Sequence, residues 1–342
     1  MRSSEKASTA PGAVAHDGRR PPWEEELIMT RAADSVLSRS ATGEHGTYAI
    51  LAALKPDNAN DAVLRTAQWL AEHEHRELHA VSVIDTAPLI SAFAAGVPVV
   101  PPFHDEERRR AIKQGIRAAY ERSGHSASRF RVDVVEGSAP ATIADIAREQ
   151  EVRMVVVGRG THGLLSHLVF GEQVMEIIRR SRSPVLVVPP DSSVPLERAM
   201  VAFDCSLASI RAAATAHEML GPGGRLTLVH VATPRPVTGR RAQWWRRSME
   251  RRARETLQEF ARALPPRAGV KVETERVHGD PVDVLTAYAQ SHEMELLACG
   301  WHEHALLERM FAESSTAALL HRAKCAVLVA PEPRDGDRDD AS

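Results

Sequence analysis

The sequence is poor in cysteine, net charge and long apolar runs, and each shortage excludes a class of protein. Its 342 residues hold three cysteines, Cys205, Cys299 and Cys325. That is too few, and an odd number, for a cross-linked secreted scaffold. A reducing cytoplasm is the compartment expected. The 43 lysines and arginines nearly balance 45 aspartates and glutamates, leaving a formal charge of -2. A chain built to coat nucleic acid or anionic lipid would not be so balanced, so neither partner is expected. No stretch approaches the roughly 18 to 20 apolar residues of a membrane-spanning helix. The opening "MRSSEKASTAPGAVAHDGRRPP" also lacks the apolar core of a signal peptide.

What is present is a chain of ordinary apolar content, 43% hydrophobic, and longer than one hydrophobic core usually supports. Two domains are therefore expected. The Ser-, Gly- and Pro-rich first 22 residues read as a tail. "WEEELIMTRAADSVLSRS" then places Leu27, Met29, Ala33 and Val36 at rough helical spacing.

From Tyr48 the pattern alternates between short apolar runs and longer amphipathic ones. "YAILAAL", "ELHAVSVI", "FRVDVVEG", "MVVVG" and "PVLVVPP" read as buried strands. Between them lie the helical patterns "NDAVLRTAQWLAEHEH", "DEERRRAIKQGIRAAYERSG", "PATIADIAREQ" and the segment after Gly158. Strands alternating with helices predict a parallel sheet covered on both faces.

The same order then recurs in "AMVAFD", "RLTLVHVA", "VKVETERVHG", "ELLACG" and "CAVLVAPE". The duplicated α/β unit gives expected boundaries at residues 46–190 and 198–332. Residues 1–45 precede the first unit, 191–197 form a Pro/Ser/Asp-rich linker, and 333–342 make a polar acidic tail.

Glycines open the segment after the fourth strand, "VVVGRGTHGLLSHLVFGEQ". Backbone N–H groups at a helix N-terminus suit a phosphate, glycine lets the backbone come close, and a following Ser or Thr adds a hydroxyl donor. In parallel α/β sheets such sites lie beyond the C-terminal strand ends. Gly158 stands at such a place.

Here the chain resembles the universal stress protein family, with two copies of its domain covering Tyr48 to Glu332. The family's Gly-x2-Gly-x9-Gly-Ser/Thr loop, followed by a helix and a "PVLVV" strand, is similar to Gly158-x2-Thr161-x9-Gly171-Glu172 and "SPVLVVPP". "VEGSAPATI" and "VHGDPVDVL" resemble the family's turn before its third helix. The resemblance implies two tandem Rossmann-like domains, each a five-stranded parallel sheet of order 3-2-1-4-5. It also implies ATP binding, where activity is present, without a dedicated catalytic apparatus.

By the same resemblance, Asp204 and Ser206 of Asp204-Cys205-Ser206 would contact the adenosine part. Val231, Gly279 and Gly300 would line the site, with Ser314 and Ser315 near the phosphates; Gly158 and Gly171 are the first-copy equivalents. The first copy departs from this pattern with Lys55-Pro56-Asp57 at the acidic position, Thr161 for the second glycine and Glu172 for the hydroxyl residue. The second places Glu303, Ala312 and Glu313 where glycine or hydroxyl belongs. A carboxylate beside a bound triphosphate costs on the order of a few kcal/mol even at an effective dielectric of about 20. A divalent cation held by Glu172 or Glu313 would reverse that sign. The second copy is thus the better candidate for ATP.

Three other clusters invite chemistry. Cys299, His302 and His304 have soft and imidazole ligands at a strand end, but only three of them, and a buried Cys with two solvated histidines is the simpler reading. His73 and His75 read as surface residues of a helix; His162 and His167 read as exposed too, with a place at the border of the first-copy cleft as the alternative. Trp244 and Trp245 sit among seven arginines from Arg240 to Arg254, a solvated helix face whose alternative is an RNA or membrane contact.

No nucleophile paired with a base stands out. The expectation is a non-catalytic stress-response or regulatory binding module. Its competitor is a weak ATPase or nucleotidyl transferase in the second copy. The copies are expected to pair as an intramolecular pseudo-dimer through "PVLVVPP" and "CAVLVAPE", with homo-oligomers left open.

Overall fold

A computed structural model describes residues 49–56, 61–86, 106–123, 130–159, 166–232, 240–302 and 313–332, without the side chains of 166–170, 240–250, 252, 313 and 314. The helix expected at 23–40, Thr161, His162, Glu303, His304, Ala312 and both tails lie outside the described residues. So do the side chains of His167, Trp244 and Trp245.

The first repeat runs β1 (Ile50–Leu54), α1 (Asp61–His73), β2 (Leu78–Asp85), α2 (Glu106–Arg122), β3 (Phe130–Gly137), α3 (Ala139–Glu149), β4 (Met154–Gly158), α4 (Ser166–Arg180) and β5 (Val185–Val188). The second runs β6 (Arg198–Ala202), α5 (Leu207–Met219), β7 (Arg225–Ala232), α6 (Arg240–Ala263), β8 (Lys271–His278), α7 (Pro281–Ser291), β9 (Leu296–Trp301), α8 (Glu313–Arg322) and β10 (Ala326–Pro331).

Local chemistry sets the ends of these elements. Ser206 caps α5 by accepting from Ser209 N–H. Asp280 caps α7 by accepting from Val282 and Asp283 N–H, and Pro281 follows where a missing donor costs nothing. The central strands β4, β5, β9 and β10 are apolar and buried almost throughout, as strands covered on both faces must be. At the outer edge β8 alternates between exposed and half-buried residues.

Each repeat has the strand order 3-2-1-4-5, with parallel pairing inside it. The two sheets do not end separately. β5 pairs antiparallel with β10, setting Val187 against Val327, Leu186 against Leu328 and Val185 against Val329, which makes one ten-stranded sheet. The expectation of two five-stranded sheets is corrected to that extent. An apolar edge strand leaves unpaired backbone groups, and here each repeat's edge covers the other's.

The helices form two layers. α1, α2, α5 and α6 cover one face with Leu70, Tyr120, Met219 and Phe260; α3, α4, α7 and α8 cover the other with Ile143, Ile178, Leu285 and Leu319. A half-buried polar cluster also crosses between repeats. Arg153 contacts Glu74 and Glu218, and Arg267 donates to the carbonyls of His217 and Glu218 at the end of α5.

Candidate functional site

The sequence puts Asp204 where β6 runs out and α5 has not begun, and the fold exploits that position. Its Oδ1 accepts from Ser206 N–H at 3.0 Å and from Ser206 Oγ–H at 2.5 Å, while Ser206 Oγ in turn accepts from Ser209 N–H at 3.1 Å. Cys205 between them takes φ 64°, the left-handed conformation that folds the turn back on itself. The result is a carboxylate fixed at a strand's C-terminal end, beside a helix N-terminus.

His302, just beyond β9, faces the second oxygen of that carboxylate. Its Nε2 lies 3.8 Å from Asp204 Oδ2, and its Nδ1 lies 3.5 Å from Glu332 Oε2 beyond β10. At those separations the contacts are ionic rather than tight hydrogen bonds. Burial alone would raise the Asp204 carboxyl, but His302 and Ser206 override it and hold it at about 2. Burial would likewise lower the His302 imidazole, but the two carboxylates push it up to about 9.

The remaining residues inferred for this site are brought to the same end of the second repeat in different ways. Val231 is the penultimate residue of β7, with its side chain in the core. Gly279 follows β8 at φ +143°, and a Cβ there would meet Val284 Cγ2 at 2.6 Å. Gly300, in β9, has no cradle around it: a Cβ would strike Ala208 C, Ala208 Cβ and Ser209 N, each at 2.7 Å. It lets the first turn of α5 lie against the strand. Ser315 lies half-buried in α8, whereas Ser314 is placed only by its backbone in that helix.

The first repeat assembles differently. Lys55 replaces the aspartate and is exposed. Gly158 abuts Val63 Cγ2 of α1, as Gly300 abuts α5. Gly171 lies inside α4 rather than in a loop, with the His321 ring of α8 against it. Arg159, following Gly158, donates across the repeats to the carbonyls of Ala323 and Cys325. Glu172 is exposed on α4.

Cys299 and His302 have different partners, and His304, the third member of that grouping, lies outside the described residues. Cys299 is buried in the opposite core layer, its thiol pushed up to about 12 by burial, and among the described residues no three His, Cys, Asp or Glu side chains converge as ligands. Sequence reading linked His302 to its near neighbours; its partners lie 98 residues back and 30 residues on.

The comparison with known families bears on both repeats. The Universal stress protein family matches residues 48–189 and again 195–331. The chain belongs to that family. This tandem universal stress protein is 27% identical to Universal stress protein YxiE of Bacillus subtilis (strain 168), over 41% of the chain and 97% of the relative. A universal stress protein structure from Archaeoglobus fulgidus DSM 4304 covers 85% of the chain and 100% of its own, at 16% identity and a TM-score of 0.54. Another solved universal stress protein, described in complex with cAMP, covers 41% of the chain and 100% of its own, at 20% identity and a TM-score of 0.30. No described helix of the tandem universal stress protein is long and apolar enough to cross a membrane.

Proposed function

We propose that this universal stress protein is a regulatory binding module whose second repeat, 198–332, holds an adenine nucleotide, and whose first repeat, 46–190, is a structural partner. The observation that carries the reading is the preorganised Asp204 carboxylate, held by Ser206 at the strand end where the first repeat has an exposed Lys55. Asp204 orients the base or ribose by accepting hydrogen bonds, and Ser206 holds that carboxylate in place. The backbone at Val231, Gly279 and Gly300 forms the floor, and Ser314 and Ser315 stand on the phosphate side.

Binding without turnover is favoured by what Ser206 already does. Its hydroxyl proton goes to Asp204 and its oxygen caps α5, so it is not poised as a nucleophile. In the first repeat, Arg159 is spent on the carbonyls of Ala323 and Cys325, which supports a role in joining the repeats.

The test is calorimetric titration of ATP, ADP, AMP and cAMP, with and without magnesium, alongside a turnover assay with labelled ATP. Removing a charged hydrogen-bond acceptor costs about 1.5–3 kcal/mol, so Asp204→Ala should weaken binding on the order of 10- to 100-fold. Lys55→Ala should leave it unchanged. No heat at millimolar nucleotide would refute a nucleotide site. Turnover abolished by Asp204→Ala would move the reading to an enzyme.

A further inference from the structure

His302 stands between carboxylates that arrive from two different strands. Asp204 follows β6 and Glu332 follows β10, and the residue between them is only 2% exposed. Glu332 is itself tied to the strand that carries the histidine, because its N–H donates to the Trp301 carbonyl at 3.2 Å. Among the described residues, few other titratable or charged groups lie nearby; His230 of β7 has its Nδ1 3.0 Å from the Phe203 carbonyl, one residue before Asp204. Cys299 on β9 and Cys205 in the β6–α5 turn have thiols pushed up to about 12, chiefly by burial, and stay neutral. Arg211 of α5 donates to the Pro331 carbonyl at 3.2 Å, one residue before Glu332.

This arrangement sets the local charge by one proton. Asp204, His302 and Glu332 together carry -1 while the ring is an imidazolium and -2 when it is not. The protonated ring also draws Asp204 Oδ2 toward β9 and β10, while Oδ1 stays with Ser206. Both oxygens of the carboxylate then have a defined direction.

We propose that His302 is a positioning residue of the second-repeat site: its proton clamps Asp204 to Glu332 and lets an anionic ligand approach a carboxylate that would otherwise repel it. The proposal rests on the nucleotide reading above and adds to it a preference by ligand charge. Loss of the proton frees Asp204 and adds a negative charge where the ligand binds. An anionic nucleotide suffers from both changes; an uncharged nucleoside suffers only from the first.

The experiment compares AMP with adenosine, by calorimetry from pH 7 to pH 10, on the full chain and on His302→Gln and Glu332→Gln. Histidine NMR of the ligand-free proteins follows the ring directly. In the wild type, His302 should titrate well above the ordinary histidine range, and AMP affinity should fall about tenfold across that span, adenosine falling less. His302→Gln should bind AMP more weakly at pH 7 and show no such step. Glu332→Gln should lower the ring's titration and the midpoint of the AMP profile together, which gives a second route should His302→Gln fail to fold.

Identical AMP profiles in wild type and His302→Gln, or a ring titrating near 6.5, would overturn the clamp while leaving the nucleotide site standing. No binding of AMP or adenosine at any pH would overturn the nucleotide reading and the proposal with it.

Discussion

Replacing Gly300 by alanine asks whether a glycine at the end of a β-strand serves a ligand or a packing contact. The new methyl would lie 2.7 Å from three atoms of α5, two of them backbone, where ordinary contact begins at 3.4 Å. Backbone cannot rotate aside, so the first turn of α5 must back away by about 0.7 Å. Overpacking of that kind costs about 1–3 kcal/mol, or several degrees in Tm. The same turn carries Ser206, so Asp204 moves with it and nucleotide affinity should drop in parallel. Gly171→Ala is the internal control. Its methyl would meet the tip of the exposed His321 ring, which can swing away, and alanine is better than glycine inside a helix by roughly 0.5–1 kcal/mol. Chemical denaturation should therefore rank Gly300→Ala clearly below wild type and Gly171→Ala at or above it. A Gly300→Ala protein within about 0.5 kcal/mol of wild type would refute the packing argument.

Val187→Lys places a charge on a residue 2% exposed at the β5–β10 joint; it should destabilise by several kcal/mol and speed amide exchange along β10, read by hydrogen-exchange mass spectrometry. Glu218→Gln strips one of two carboxylates from the half-buried Arg153, which keeps Glu74, and should cost about 1.5–3 kcal/mol in urea unfolding; Arg153→Met, which leaves Glu74 and Glu218 facing each other without their shared cation, should cost at least as much. Stability should peak near pH 6.5. His217, kept neutral by burial and by Arg267 down to about 4, withdraws stability as pH falls from 6.5 toward 4. His302, raised to about 9, contributes fully below 6.5 and withdraws its share as pH climbs toward 9. Each swing is on the order of 3 kcal/mol. A stability curve flat between pH 6.5 and 9 would contradict the ion contacts drawn for His302.

Strands were easy to read because their signal is local. "FRVDVVEG" becomes β3 at Phe130–Gly137 without a shift, since an apolar run bounded by loops leaves little choice of element. The recurrence of that order likewise exposed the duplication. The site was harder because its meaning depends on contacts far apart in sequence. Gly158 and Gly171 have a spacing that suggests phosphate, and Gly300 is the second-copy counterpart of Gly158. Their neighbours are Val63, His321 and the backbone of Ala208, none of them sequence-adjacent. His302 invited a metal through Cys299 and His304, yet strand geometry buries Cys299 in one layer and turns His302 toward Asp204. The β5–β10 joint was foreseeable from two apolar edge strands; its continuity as one sheet was a property of the assembled fold.

The antiparallel joint also dictates where information can go. Because β5 and β10 run in opposite directions, the strand ends that carry Lys55 and Arg159 emerge at one rim of the sheet and those that carry Asp204 and His302 at the other. Arg159 accordingly meets the residues that lead into β10, not those that leave it. A pair of identical subunits joined this way would have to duplicate every substitution at both rims. A single chain escapes that constraint: the two rims carry different residues, and a ligand bound at either one is approached from one direction only.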